Sequence, residues 1–192
     1  MSSLLEALQG TMGPNTVSSL SRQLGTDSNA TGNALGAVLP LMLEALTRNA
    51  SSPEGAASLH GALARDHDGS VLDDLQGYVD RPNLPAGDGI LGHVFGNRRS
   101  AVEQGIGRSS GLDAGDVAKL MATVAPLVMA YLGRRQRESG LDSAGLGRAL
   151  GDERDRAVAA EPALGGLASI LDADDDGSVV DDLMRLGGKL FR

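Results

Sequence analysis

The chain contains 192 residues, with a formal net charge of −8 at pH 7 and no cysteine. This length allows one large or two small domains with a buried core, and the lack of cysteine excludes disulfides and thiolate chemistry. Because 25 acidic residues outnumber 17 basic ones, the mean electrostatic field repels phosphate backbones, and we expect no general nucleic-acid binding.

The amino-acid composition favours an all-α fold. Hydrophobic residues make up 41% of the chain but aromatic residues only 2%, so the core must be aliphatic, and its Ala, Leu, Met and Gly suit helices that approach each other through small residues. The 27 glycines predict short helices joined by glycine-containing turns. The start of the chain does not resemble a leader segment, and no stretch approaches 18 uninterrupted apolar residues, so we expect a cytoplasmic protein without a membrane span.

The first predicted helices are delimited by glycines and an aspartate. One helix covers residues 4–9 and ends at Gly10, and the next covers about residues 14–24. Gly25 and Asp27 then supply a C-cap and an N-cap almost back to back. A third helix therefore begins directly after Asp27.

The third helix is long and apolar, from about residue 28 to residue 48, with Pro40 inside it. An interior proline removes one backbone hydrogen bond and predicts a kink. A fourth helical segment, residues 60–64, leads into an acidic loop, and a final helix is predicted to begin near Ser70. The Pro, Gly and Asp content of the residues that follow Asp80 is typical of a linker.

The second half of the sequence repeats the first. A shift of 86 places residues 1–48 over residues 87–134 without a gap, and about ten of the 48 positions are identical. Many of the identities fall at glycine, proline and capping positions, which restrict the backbone conformation. They predict matching helices at about 90–95, 100–110 and 114–137. The identical pairs include Gly10 and Gly96, Gly25 and Gly111, Asp27 and Asp113, Pro40 and Pro126, and Arg48 and Arg134.

The register of the repeat then changes to 108, and residues 63–75 overlay residues 171–183 with nine of about 13 positions identical. About 22 extra residues must therefore lie in the second copy, which we place near residues 136–162. This stretch is polar and charged, and it predicts one or two added surface helices. The predicted organisation is a helical repeat in residues 1–80, a linker in residues 81–89 and a second helical repeat in residues 90–192.

The second acidic loop resembles the start of a calcium-binding EF-hand loop. From residue 172 the sequence DADDDGSV reproduces the pattern D-x-D-x-D-G-x-hydrophobic. Hard cations take six to eight oxygen ligands at about 2.3–2.6 Å, and carboxylates at alternate positions of a tight turn converge on one point. Leu183 stands where an EF-hand has its bidentate Glu, so an aspartate must close this shorter loop. The predicted ligands are Asp172, Asp174, Asp176, the carbonyl of Ser178, Asp181 and Asp182.

The first acidic loop predicts a weaker second site, because Ala64 replaces its first carboxylate. Its candidate ligands are Asp66, Asp68, Ser70, Asp73 and Asp74. Without the missing ligand, we expect weak or no metal binding in this loop.

Helix capping is the alternative interpretation of both loops. Ser70 with Asp73, and Ser178 with Asp181, have the spacing of capping boxes. Capping does not account for three alternating carboxylates from residue 172, which repel one another unless a cation lies between them. We therefore favour Ca²⁺, with Mg²⁺ as a substitute, in the second loop and capping in the first.

No other residues form a recognisable catalytic arrangement. The three histidines, His60, His67 and His93, have none of the spacings of metalloprotease motifs, and we expect them at the surface or at the edge of the core. Residues 37–43 and 124–129 are apolar on nearly all sides, which indicates a core helix in preference to a subunit contact.

The same residues carry a resemblance to a known family. The segments ILGHVFG, APLVMAYLGR and LDADDDGSVVDDL make the second half, about residues 88–190, similar to the bacterial domain-of-unknown-function family 937, also called YidB-like, and the first half is a more divergent version. The resemblance implies a small, all-helical bacterial protein. It implies no catalytic residue.

Two functions follow as expectations. The first is a non-enzymatic helical protein whose second acidic loop binds Ca²⁺ or a similar hard cation in a structural or sensing role. The second is a homo-oligomeric scaffold or interaction protein in which the acidic loops only cap helices.

Overall fold

A computed structural model describes residues 4–160, and within this range it contains nine α-helices, two short 3₁₀ helices and no strand. The predicted all-α class is confirmed. The α-helices are α1 (Leu4–Thr11), α2 (Pro14–Leu24), α3 (Ser28–Asn49), α4 (Pro53–Asp66), α5 (Leu75–Asp80), α6 (Leu84–Phe95), α7 (Arg99–Ser110), α8 (Ala114–Ser139) and α9 (Ser143–Ala160), and the 3₁₀ helices are Ser70–Asp74 and Gly96–Arg98.

The paired caps before the two long helices are confirmed. Gly25 ends α2 with a φ of 69° and Gly111 ends α7 with a φ of 82°, a left-handed conformation that favours glycine. Asp27 then accepts hydrogen bonds from the N–H groups of Asn29 and Ala30 at the start of α3, and Asp113 accepts one from Asp116 at the start of α8. Local chemistry alone fixes these boundaries.

The prediction that Gly10 ends the first helix is wrong. Gly10 lies inside α1, which continues to Thr11, and the chain turns at Gly13, the N-cap of α2. Gly96, at the matching position, does follow the last residue of α6 with a φ of 57°. Glycine permits a helix to end but does not require it.

The segment between the two halves is shorter than the predicted linker of residues 81–89, because α6 already begins at Leu84. The Asn83 side chain accepts a hydrogen bond from the N–H of Ala86, which caps the helix. Pro85 occupies the first turn, where its missing N–H has no intrahelical partner to lose. Three residues, 81–83, therefore separate α5 from α6.

Helices α3 and α8 form the centre of the described part of the chain. Every residue from 120 to 130 of α8 is buried, and residues 38–43 of α3 are buried apart from the partly exposed Pro40. Both helices continue past their interior prolines. This confirms that the two apolar segments are core helices.

Helix α8 is also, by length and composition, the one helix of the described residues that could cross a membrane. However, 72% of its most apolar window is buried inside the protein. Burial of this extent is typical of a helix in a protein core.

The two halves share a single hydrophobic core. Helix α3 of the first half contacts α7 and α8 of the second half, and α4 contacts α8 and α9. Within the second half, α6 packs closely on α8, and a Cβ added to Gly87 would overlap with the backbone of Ala122. The predicted approach of helices through small residues is confirmed at this crossing.

Helix α9 lies within the predicted insertion, and it is more than a surface addition. Its Leu146 and Leu150 are each 2% exposed and pack into the core beside α3 and α4. The carbonyl oxygen of Leu150 lies 3.4 Å from the hydroxyl of Thr47 near the end of α3. The insertion therefore covers the carboxyl-terminal end of α3.

Candidate functional site

The second acidic loop, which carries the stronger metal prediction, lies outside the described residues. Its predicted ligands are Asp172, Asp174, Asp176, Ser178, Asp181 and Asp182. The first acidic loop lies within the described residues.

The first acidic loop is a turn between α4 and α5. Helix α4 ends at Asp66, and Gly69 turns the chain with a φ of 84°. A 3₁₀ helix, Ser70–Asp74, follows and leads into α5. The glycine at position 6 of the EF-hand pattern thus adopts the left-handed conformation that this position needs.

The predicted capping box of Ser70 and Asp73 does not form, although a different residue of this loop caps a helix. The helix that follows begins as a 3₁₀ turn, and the α-helical part starts at Leu75. Asp74 caps it by accepting a hydrogen bond of 2.9 Å from the N–H of Gly77. Ser70 does not cap a helix; its hydroxyl instead donates a 2.5 Å hydrogen bond to Asp68.

The Asp68 carboxylate is bound by its neighbour in the turn. The same oxygen accepts hydrogen bonds from both the hydroxyl and the N–H of Ser70. These bonds lower the pKa of Asp68 below its ordinary value of 3.8, and the positive charges of Arg137 and Arg134 act in the same direction. Asp68 is therefore ionised and already has donors.

A guanidinium from the other half of the chain binds this loop. Nη2 of Arg134, on α8, donates a 2.5 Å hydrogen bond to the carbonyl oxygen of Gly69 and lies 2.6 Å from a carboxylate oxygen of Asp73. The Arg134 side chain is 36% exposed and that of Asp73 70%. We call this arrangement the arginine clamp, formed by Arg134, Gly69 and Asp73.

The five candidate ligands of the first loop do not gather around a common point. Asp68 and Ser70 bond to each other, Asp73 belongs to the arginine clamp, Asp74 caps α5, and Asp66 lies 3.7 Å from its neighbour Arg65. Residues 4–160 contain no group of three or more His, Asp or Glu side chains that could hold a metal ion.

The three histidines lie at the surface or at the edge of the core, as predicted. His93 is exposed and bonds to the carbonyl of Gly89 one turn earlier, and His60 contacts the carbonyl oxygen of Leu141 at 3.1 Å. His67 is half-buried, and burial lowers its pKa below 6.5 against the opposing effect of the Asp66 charge.

Surface grooves lie elsewhere on the described part of the chain. A groove of about 520 Å³ at the ends of α3 and α6 is lined by basic and amide side chains, and we call it the basic groove. A second groove, of about 490 Å³, lies where α1, α8 and α9 meet. The basic groove consists of Arg48, Asn49, His93, Val94, Phe95, Gly96, Asn97 and Arg98.

The second groove holds polar groups that sequence patterns did not single out. Glu153 is 5% exposed, and its carboxylate lies 3.5 Å from Arg156 one turn later. Gln136 is 6% exposed and its side-chain oxygen has no hydrogen-bond partner. The sequence did not predict that these two polar side chains are buried, because their burial depends on how α9 packs on the rest of the chain.

The family is settled by a match that spans most of the helices just described. The family model described as "Bacterial protein of unknown function (DUF937)" matches residues 6–135. The chain belongs to this family. The match therefore covers helices of both halves, whereas the resemblance predicted from sequence centred on residues 88–190. The matched range ends before the second acidic loop. No curated protein and no solved structure shows significant similarity to this DUF937 protein.

Proposed function

We propose that this DUF937 protein is a non-enzymatic helical protein that binds Ca²⁺, or a similar hard divalent cation, through its second acidic loop. The pattern of alternating carboxylates from residue 172 supports this proposal, because clustered negative charges are stable only beside a cation. The role would be structural or sensing.

The observation that carries the proposal is that the related first loop binds a cationic group. There the turn has the left-handed glycine of an EF-hand loop, and the Arg134 guanidinium binds its Gly69 carbonyl and Asp73. The second loop keeps the glycine and serine of this turn as Gly177 and Ser178. It also has Asp172 where the first loop has Ala64, so it contains the carboxylate that the first loop lacks.

The proposal includes a tandem arrangement of two related helical units. Helices α1, α2 and α3 follow one another in the same order as α6, α7 and α8, and each long helix contains an interior proline. The glycine and aspartate caps before α3 also match those before α8. In this arrangement the two acidic loops are equivalent elements. The first loop is then a guide to the chemistry of the second.

Calcium titration of the full-length protein tests the proposal. Isothermal titration with Ca²⁺ should give a binding isotherm for the wild type that disappears in Asp174→Ala/Asp176→Ala. Mg²⁺ should bind more weakly, because it demands a near-octahedral site and gives up its water reluctantly. In the cytoplasm, where we propose that the protein acts, free Ca²⁺ is scarce, so a permanent structural role requires either Mg²⁺ or a high affinity for Ca²⁺.

The control is Asp152→Ala/Asp155→Ala, which removes the same charge from exposed positions of α9. This variant should bind Ca²⁺ as the wild type does. A flat titration for the wild type, or equal binding by the loop variant and the wild type, would contradict the proposal. At a hundredfold excess over Kd, a ligand that binds only the folded state adds about 2.7 kcal/mol to the free energy of unfolding, so chelator should lower the Tm of the calcium-loaded protein.

A homo-oligomeric scaffold is the second candidate, supported by the capping seen in the first loop. Asp74 caps α5 and Asp68 bonds to Ser70, so two carboxylates of that loop act without a metal. In this proposal the second loop acts likewise, and the protein works through contacts between its copies. Light scattering over a hundredfold range of concentration should then show a mass above that of one chain, and a monomer throughout would exclude it.

A further inference from the structure

The second groove, where α1, α8 and α9 meet, has an apolar interior. Leu132 of α8 and Leu146 and Leu150 of α9 line it and are 2–3% exposed. Tyr131 and Leu141 also line it and are half-buried. A volume of about 490 Å³ is within the range of the apolar cavities in which proteins bind small molecules. The groove can therefore receive a molecule with an apolar body.

One polar atom at this groove lacks a partner. Gln136 lines the groove and is 6% exposed, and its side-chain oxygen Oε1 has no hydrogen-bond partner. The nitrogen of the same amide, Nε2, lies 3.4 Å from the carbonyl oxygen of His60, which is outside the groove lining. A buried acceptor without a donor raises the free energy of the folded state. A molecule in the groove that donates a hydrogen bond to Oε1 would remove this cost.

The Gln136 amide can adjust its direction while its backbone stays in place. The last torsion of a glutamine side chain has a broad energy minimum, and the contact of 3.4 Å with His60 is longer than an ordinary N–H···O bond. The backbone carbonyl of Gln136, in contrast, accepts a 3.0 Å hydrogen bond from the N–H of Leu141. The groove thus presents an adjustable acceptor on a fixed support.

The charged side chains of this groove balance one another. Arg135 and Arg156 are basic, and Asp152 and Glu153 are acidic. Arg156 lies 3.5 Å from the carboxylate of the buried Glu153, whereas Arg135 and Asp152 are exposed. The described lining therefore carries no net charge. Because a charged group that leaves water needs a compensating charge, this lining favours an uncharged molecule.

We propose that the second groove binds an uncharged small molecule that has an apolar body and one N–H or O–H group, and that this group donates a hydrogen bond to Oε1 of Gln136. The three buried leucines contact the apolar body. Gln136 selects molecules that have the donor over molecules of the same shape that lack it. The site includes neither acidic loop, so it does not depend on the proposed function.

Indole and benzofuran are a matched pair of probes for this site. Both are flat, uncharged and nearly identical in shape, but benzofuran has an oxygen where indole has its N–H. The chain has no tryptophan, so the fluorescence of indole reports its binding to the full-length protein, and benzofuran is measured by displacement of indole. We expect indole to bind about tenfold more tightly, because benzofuran leaves Oε1 unpaired. No binding of indole, or equal affinities of the two probes, would overturn the proposal.

Gln136→Leu tests whether this preference arises at Gln136. The substitution removes the acceptor and keeps a side chain of similar size, so the groove should still bind benzofuran. The preference for indole should disappear or reverse, because the indole N–H then has no acceptor. A preference that persists in this variant would overturn the assignment of the hydrogen bond to Gln136.

Ala149→Phe tests the location of the site without changing a buried residue. Ala149 is exposed on α9 and lines the groove, so a phenyl ring there should occupy the groove and abolish most of the indole fluorescence change. Ala57→Phe is the matched control, since Ala57 is exposed on α4 outside the groove lining, and it should bind indole as the wild type does. Unchanged binding in Ala149→Phe, or an equal loss in both variants, would contradict binding at this groove.

Discussion

Gly133 on α8 lies directly against the carbonyl oxygen of His67, so closely that a side chain at position 133 would overlap with it. The carbonyl of Leu63 is also near, 3.3 Å from where the first side-chain carbon would be. The end of α4 can approach α8 only because position 133 has no side chain. This close approach brings the first acidic loop within reach of the neighbouring Arg134.

Gly133→Ala should therefore destabilise the protein. Placing a methyl group in this contact must push α4 away from α8, and overpacking of this kind costs about 1–3 kcal/mol. Urea denaturation measures the change in the free energy of unfolding. Gly36→Ala is the control, since Gly36 is exposed inside α3 and nothing lies near its missing side chain. It should stabilise the protein by up to about 1 kcal/mol, and equal effects of the two substitutions would contradict the proposed contact.

Removing Arg134 should cost more than removing the charge of its partner Asp73. Arg134→Gln takes a donor from both the Gly69 carbonyl and Asp73, whereas Asp73→Asn weakens only an ion pair with a largely exposed carboxylate. We expect a loss of about 1 kcal/mol for the arginine variant and less than about 1 kcal/mol of coupling between the two residues. A double-mutant cycle in urea gives both values. A larger loss in the free energy of unfolding from Asp73→Asn than from Arg134→Gln would contradict a stabilising contact between Arg134 and the Gly69 carbonyl.

Asp74→Ala tests whether the first loop acts as a helix cap. Loss of the hydrogen bond to the Gly77 N–H should lower the free energy of unfolding by about 0.5–2 kcal/mol. Because this effect arises from capping, it should be the same with Ca²⁺ and with chelator. A loss that appears only with Ca²⁺ would instead assign Asp74 to a metal site.

His67 should make stability depend on pH. Burial lowers its pKa in the folded protein below 6.5, so between the lowered value and 6.5 the unfolded chain binds more protons than the folded one. The free energy of unfolding therefore falls as the pH is reduced through this window and is fully present above 6.5. Urea titrations between pH 5 and pH 8 should show a smaller decrease in His67→Gln than in the wild type, and identical profiles would contradict this assignment.

The parts of the fold that follow from short-range chemistry could be predicted from the sequence. Gly25 and Asp27 end and begin helices because a left-handed glycine and a capping carboxylate act within a few residues. Gly10 could not be assigned in this way, because its conformation depends on whether the following residues turn. Residues 84–89 have the composition of a linker, yet they form the first half of α6, since Asn83 caps the helix and Gly87 lets it pack on Ala122.

The arginine clamp could not be predicted for a different reason. Its members are 61 and 65 residues apart, and only the packing of α4 on α8 brings them together. The sequence does contain a signal, because Arg48 and Arg134 match in the predicted repeat. Without the fold, a matched arginine at the end of a helix is equally consistent with an interaction with the helix dipole.

The contacts of α3 with α7, and of Arg134 with the first loop, also bear on how such a chain could have arisen. Under the proposed repeat, an ancestor with one unit would have lacked the helix that covers its own acidic loop. A second copy of that ancestor could have supplied it, in a symmetric dimer. Gene duplication and fusion would then have turned an intermolecular contact into an intramolecular one between the two halves.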